Sequence, residues 1–490
     1  MALDKLVEVI HSSVDSGWKE RNEAALAALF GSPEGRYPQA ASGEVQLRAP
    51  TMGGETGVPF AAYIHPSNPP SGAYSGLSFV IFPADGAPSL LGLVVGTQGL
   101  APDEAILGRP GHMRKAKAIC SWLNRCFGQG NLVAWAKQDP TRTDISIPEE
   151  IKKEWSSHKA ALDRYGKEVY ALFRPTTDKQ VTEEALSAFL DFLFEERGYE
   201  PLARWQSSAE EIRSGWLNHL MPGVERHELK DLLASRRYVI LQGPPGTGKT
   251  KMALDLLCDE YKSLGRSIQF HANTTYENFV GGLAPDHSDG VAGLRFKATT
   301  GALMEAAAAA ASDLSQPYLL HIDEINRADL SKVLGEAIFL LETETDRERI
   351  IRLPYDFGPP FQRSLSLPKN LHILGTMNSA DRSIAIVDVA VRRRFAFVSL
   401  WPRMSVVQQY GCPLMQGAFR KLVSIFVEHA PEEAFALVPG HSYFLELNED
   451  RARLALKVNL APLLQEYLFQ GYVGGFAEPI RSYLQWLDSL

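Results

Sequence analysis

The chain has 490 residues, 45% of them hydrophobic, and a formal net charge of −8 at neutral pH. That length admits two or three domains with sizeable cores, and the hydrophobic share excludes a disordered or low-complexity chain. Four cysteines, Cys120, Cys126, Cys258 and Cys412, fit neither a zinc cluster nor a disulfide framework, and the acidic total excludes a surface that coats nucleic acid throughout while leaving room for a local basic site.

The opening segment, MALDKLVEVIHSSVDSGWKERNEA, is amphipathic with acids in its first turns, and it has neither a signal-peptide core nor a basic lead. No stretch is long and apolar enough to span a bilayer, so a cytoplasmic location without a membrane partner is expected. SGLSFVIFPADGAPSLLGLVVGTQGL predicts two strands around an Asp-Gly turn. Residues 105–138 then hold no acid, yet carry Arg109, Arg114, Lys115, Lys117, Arg125 and Lys137 with Trp122, Phe127 and Trp135 interleaved. Such cations hold phosphates and an exposed indole stacks on a base, which makes Arg109, Arg114, Lys115, Lys117, Arg125 and Trp122 candidate DNA-binding residues. The competing reading is a basic helix face over buried aromatics. TEEALSAFLDFLFEERGY restores helical spacing, so a mixed α+β domain is expected over residues 1–200, with a linker at 201–226.

A different rhythm follows. Buried-type strands (RYVILQG, SIQFHA, PYLLHID, NLHILGTM, FAFVSL) alternate with helical stretches, as an open parallel sheet requires. An α/β core is expected over residues 227–402 and a helical segment over 403–490. The alanine run at 306–311 predicts a helix packed closely on the sheet.

GPPGTGKT lies between the first of these strands and a helix, the context that gives G-x-x-x-x-G-K-T its mechanism. Gly243, Gly246 and Gly248 let backbone amides turn inward toward phosphate oxygens, with Pro244, Pro245 and Thr247 completing the loop. Lys249 is placed to neutralise β and γ phosphates, and Thr250 to hold Mg²⁺ through its hydroxyl. YLLHIDEIN supplies Asp323 for the Mg²⁺ and Glu324 to activate the attacking water. His321, inside that strand, is read as a core histidine with no role.

GTMNSADRSIAIVDVAVRRRF carries Asn378 at a strand end, where its amide can orient the water. It ends in Arg392, Arg393 and Arg394, a cluster suited to delivering a cation into a neighbour's site, since an arginine in trans stabilises phosphoryl-transfer charge. A solvated or acid-paired face is the alternative.

GPPGTGKT, IDEINRADLSKVLGEAIFLLE, GTMNSADRS, DVAVRRRF and GHSYFL together resemble the McrB family of AAA+ proteins, motor subunits of modification-dependent restriction systems, over residues 227–472. The resemblance implies a AAA+ P-loop domain with a parallel sheet and helical lid, GTP or ATP as substrate with Mg²⁺, and a ring, commonly a hexamer. It also implies an McrC-like partner that stimulates hydrolysis and brings a nuclease, and DNA, modified or not, as the target. In the family pattern Asn378 is the sensor, while Asp381, Arg382 and Arg392 lie toward the subunit interface. A MoxR-like ATPase remodelling a protein partner is the alternative; nothing in GPPGTGKT separates guanine from adenine.

Overall fold

Two compact units account for the chain, residues 1–221 with 425–431 and residues 222–424 with 432–490. The structure, a computed structural model, describes residues 3–31, 33–51, 57–84, 86–285, 295–342, 349–380 and 388–490. Among these, no helix is long and apolar enough to cross a membrane.

The first unit is built on an antiparallel sheet of six strands, ordered Gln46–Thr51, Phe60–Ile64, Leu77–Ala84, Ala87–Val95, Val169–Phe173 and Ala134–Ala136. Its two central strands are the pair read around the Asp-Gly turn, in register with Phe79 opposite Leu93 and Ile81 opposite Leu91. One face buries Phe60, Val80, Phe82, Leu90, Leu172 and Trp155 in a common core. The helix Lys179–Glu196 is buried at every position from Ala185 to Phe194, because apolar residues occupy nearly all of them. The single acid inside that run, Asp191, is satisfied by Arg36, 2.5 and 2.7 Å away through two guanidinium nitrogens, and by the Tyr37 hydroxyl at 2.7 Å. Residues 201–226, expected as a linker, include the helix Gln206–Leu220, whose Ile212 and Trp216 are buried.

The second unit is a parallel five-stranded sheet ordered Ala396–Ser399, Tyr238–Gly243, Leu371–Asn378, Tyr318–Asp323 and Gly265–Gln269. Strands covered on both faces read as continuous apolar runs, which is why YVIL and LHIL show no alternation. On one face the helix Ala302–Ser312 lays Ala306, Ala307 and Ala310 against Tyr238, Leu320 and Ile322; methyl-sized side chains allow that close approach. On the other, Leu229, Leu233, Ala253 and Leu256 meet Val239, Leu241, Leu319 and Leu374. From Met404 onward this unit is helical. The helix Glu449–Ala455 runs through a wide turn at Leu456–Leu460 into Ala461–Phe469.

Candidate nucleotide-binding site

Parallel strands deliver their carboxyl ends to one edge, where open α/β sheets bind ligands. Here register does the sorting: Asn378 lies opposite Gly243, and Asp323 ends the strand beside it, with Ile322 opposite Gly375. Thus Gly243, Asn378 and Asp323 reach the same edge from three different strands.

Past Gly243 the chain turns through the glycine loop into the helix Lys249–Asp255. Gly248 caps this helix at φ +80°, a left-handed conformation that a side chain would strain. The Thr247 hydroxyl is buried and donates to Pro244 O at 3.0 Å, which pins the loop. Lys249 Nζ donates to Gly243 O at 3.0 Å and Pro244 O at 2.8 Å. Burial pushes its ammonium down to about 8, against the raising influence of Glu324 and Asp323. A desolvated cation held by two neutral carbonyls is a site that an anion would satisfy.

Thr250 Oγ1 donates to Asp323 Oδ1 at 2.9 Å, so the two groups assigned to the cation do meet. A hydroxyl and a carboxylate are the hard oxygen donors that Mg²⁺ takes, with water and substrate phosphate supplying the remainder. Among the described residues no cluster of three or more His, Cys, Asp or Glu would hold a metal unaided. The donor set therefore fits a metal that arrives with a phosphate chain.

Thr376, fully buried, was invisible to the sequence reading. Its hydroxyl donates to the same Asp323 Oδ1 and accepts the backbone N–H of Glu324 at 3.4 Å, so one side chain positions both acids. Its only signal is its place in the strand, two residues before Asn378 and on the same face. Glu324 sits at φ +52°, turned off the strand line, with Arg327 Nε 3.2 Å from its Oε2. Strained backbone of this kind costs about 1–3 kcal/mol and persists where the surroundings impose it. Asn378 Oδ1 accepts the Ala380 N–H at 3.0 Å, which commits the oxygen to the backbone and leaves the NH₂ as the opposite arm. His321 is fully buried with Nδ1 2.8 Å from Ser267 Oγ, away from any role in the site.

A second group missed by the sequence reading closes the loop from above. Gly440 N–H donates to Pro245 O at 2.9 Å and Ser442 N–H to Gly246 O at 3.0 Å, so residues 440–443 run directly over the glycine loop. A Cβ on Gly440 would come within 2.0 Å of the Gly246 carbonyl carbon, which only glycine avoids. These contacts come from the GHSYFL motif, residues 440–445.

The three arginines divide. Asp388 caps the short helix Val389–Arg392 by accepting the Ala390 N–H at 3.2 Å. Arg394 turns inward: its side chain is 7% exposed, donates to Ala390 O at 2.7 Å and lies 3.7 Å from Glu342. Arg393 is 64% exposed, only 3.8 Å from the same carboxylate, and Arg392 is exposed beside the Phe397 ring. Asp381 and Arg382 lie outside the described residues.

In the first unit, the candidate DNA-binding set is largely internal. Arg114 is buried and donates to Val427 O at 3.1 Å and Ala430 O at 2.7 Å, both within that unit. Lys115 is buried in an ion pair with Glu196, which Arg109 also meets at 3.1 Å, and Trp122 is buried against Gly215. Lys117 is half-buried, donating to Gln138 Oε1 at 3.3 Å, and Arg125 is exposed. The stretch is free of acids because Glu196 and Glu428 reach it from other elements.

Residues 238–395 match the model of the AAA domain (dynein-related subfamily). The chain is similar to the McrB subunit of the type IV methyl-directed restriction enzyme EcoKMcrB of Escherichia coli K12, with 33% identity over 259 residues, 48% of this chain and 55% of that one. It is also similar to the YdiS component of the type II restriction enzyme BsuMI of Bacillus subtilis, with 23% identity over 275 residues, 47% of this chain and 79% of that one. The chain thus spans only about half the length of the McrB subunit that it matches. The McrB-type resemblance drawn from the motifs is borne out by these matches.

Proposed function

Because residues 238–395 match a AAA domain and the chain is similar to an McrB subunit, we propose that it is the nucleoside triphosphatase motor of a restriction or anti-phage complex. It hydrolyses GTP or ATP in a ring and drives DNA movement or the activation of a partner nuclease. The observation that carries this reading is the desolvated Lys249, set in the glycine loop with Thr250, Asp323, Glu324 and Asn378 at one sheet edge.

Each residue has a distinct task. Lys249 leaves the Gly243 and Pro244 carbonyls and takes up a charge-assisted contact with the phosphates. Thr250 and Asp323 would hold Mg²⁺, which would supply charge neutralisation to the phosphates. Glu324 accepts the proton of the attacking water, and the Asn378 NH₂ orients that water. Arg393, with Arg392, supplies the cation that a neighbouring copy's site lacks.

The burial of Arg114, Lys115 and Trp122 favours a second reading, in which a MoxR-like ring remodels a protein instead of DNA. The deciding experiment measures GTP and ATP hydrolysis by the full chain, with and without modified duplex, unmodified duplex, and an McrC-like protein encoded beside it. Stimulation by duplex or that partner is expected; hydrolysis indifferent to both supports remodelling, and no hydrolysis of either nucleotide refutes the motor.

A further inference from the structure

The segment lying over the glycine loop brings one titratable side chain with it. His441 Nδ1 lies 3.3 Å from the backbone nitrogen of Arg403. A backbone N–H can only donate, so Nδ1 is the acceptor and the ring proton of the neutral imidazole sits on Nε2. That tautomer is fixed by geometry. Arg403 is itself held, through Val224 O at 2.6 Å and Glu225 at 3.1 Å, so the backbone that orients the ring is anchored at its own side chain. Nε2 is directed at the glycine loop: it lies 3.6 Å from where a Cβ on Gly248 would stand, with the same ring's Cε1 at 4.0 Å. Gly248 is the residue whose turn opens the helix bearing Lys249 and Thr250.

Resting on the proposed nucleotide-hydrolysing role, we propose that His441 is a nucleotide-positioning residue whose Nε2–H donates to the phosphate chain of the bound nucleoside triphosphate. The contact comes from above the loop, opposite the amides that cradle the phosphates from below. Burial, with Arg403 nearby, holds the ring neutral down to about pH 4, so it acts as a fixed donor and not as a second mobile cation beside Lys249. Because residues 440 and 442 are tied to Pro245 O and Gly246 O, the same donor reports phosphate occupancy to the helices that follow.

The test separates the two ring nitrogens. His441→Asn keeps an acceptor for the Arg403 N–H and removes the Nε2 donor; His441→Gln does the reverse. Binding of fluorescent GTP and ATP to the full-length chain is measured by anisotropy, with inorganic tripolyphosphate as competitor and Lys249→Ala as reference. The proposal expects His441→Asn to weaken binding at least about tenfold, the scale of one charge-assisted bond, for nucleotide and tripolyphosphate alike. His441→Gln stays within about threefold of wild type. If His441→Asn binds like wild type while Lys249→Ala does not, His441 has no such role and the nucleotide reading stands. Equal loss in both His441 variants, or a loss for nucleotide without one for tripolyphosphate, also overturns the proposal. Unchanged binding in Lys249→Ala sinks the reading beneath it.

Discussion

Exchanging Arg393 and Arg394 for alanine, one at a time, should separate a catalytic cation from a structural one within two adjacent positions. Arg394 is nearly enclosed, gives Ala390 O a 2.7 Å hydrogen bond and lies 3.7 Å from Glu342, so its loss removes a charge-assisted bond and the packing of its stem. Glu342 keeps Arg349 as a partner, so no carboxylate is stranded. The expected cost is about 1.5–3 kcal/mol, or about 3–12 °C in melting temperature for a domain of this size. Arg393 is mostly solvated and its 3.8 Å approach to Glu342 is a surface pair, so Arg393→Ala should shift melting by less than about 2 °C. Its effect belongs in hydrolysis, where loss of an arginine in trans lowers the rate by about 10³-fold or more. Differential scanning fluorimetry and steady-state hydrolysis at subunit concentrations that support assembly provide both readouts. Mixing Arg393→Ala with Lys249→Ala should restore part of the rate, because each copy lends what the other lacks. Melting unchanged in Arg394→Ala, or full hydrolysis in assembled Arg393→Ala, would refute this division.

Glu324→Gln should leave nucleotide binding within about twofold of wild type and lower single-turnover hydrolysis by about 10²–10⁴-fold, the usual share of a general base; unchanged turnover removes Glu324 from that role. Lys249 provides a pH signature. With its pKa depressed to about 8 and phosphates expected to raise it, binding draws a proton in, so uptake should be about half a proton at pH 8 and about a tenth at pH 7. Titration calorimetry of the unaltered chain with non-hydrolysable nucleotide analogues, in buffers of different ionisation enthalpy, reads this directly, and equal uptake at both pH values would contradict it.

What could be read from sequence was what local order carries. GPPGTGKT between an apolar strand and a helix, the acids that end YLLHIDEIN, and the alanine run all state their environment within a few residues. The remainder depends on neighbours that are remote in the chain. Thr376 looks like any hydroxyl in a buried strand until register sets it beside Asp323. The acid-free stretch at 105–138 looks like an open basic face until Glu196 and Glu428 arrive from elsewhere to neutralise Arg109 and Lys115. RRRF shows three equal cations; Arg393 and Arg394 lie 3.8 and 3.7 Å from Glu342, and only burial and the hydrogen bond to the Ala390 carbonyl make Arg394 differ from Arg393.

The same remote contacts would couple the proposed hydrolysis to the segments packed around the glycine loop. The glycine loop is tied to the following helices by two backbone hydrogen bonds, and to the Asn378 strand by the Ser379 N–H, which donates to Gly243 O at 3.0 Å. Net contributions of about 1 kcal/mol each make these ties comparable with, or weaker than, one charge-assisted contact to phosphate. Gly243 O is shared between Ser379 and Lys249, so a phosphate that draws Lys249 away changes what that carbonyl holds and, through Ser379, the setting of the adjacent Asn378. A ligand's differential contacts set how far it can shift an equilibrium, and here those contacts are of the same size as the ties they replace. Phosphate occupancy, water orientation and the hold of the overlying segment are therefore linked through the carbonyls of Gly243, Pro244, Pro245 and Gly246. The device needs no long-range wire, only a lysine that trades carbonyls for phosphates.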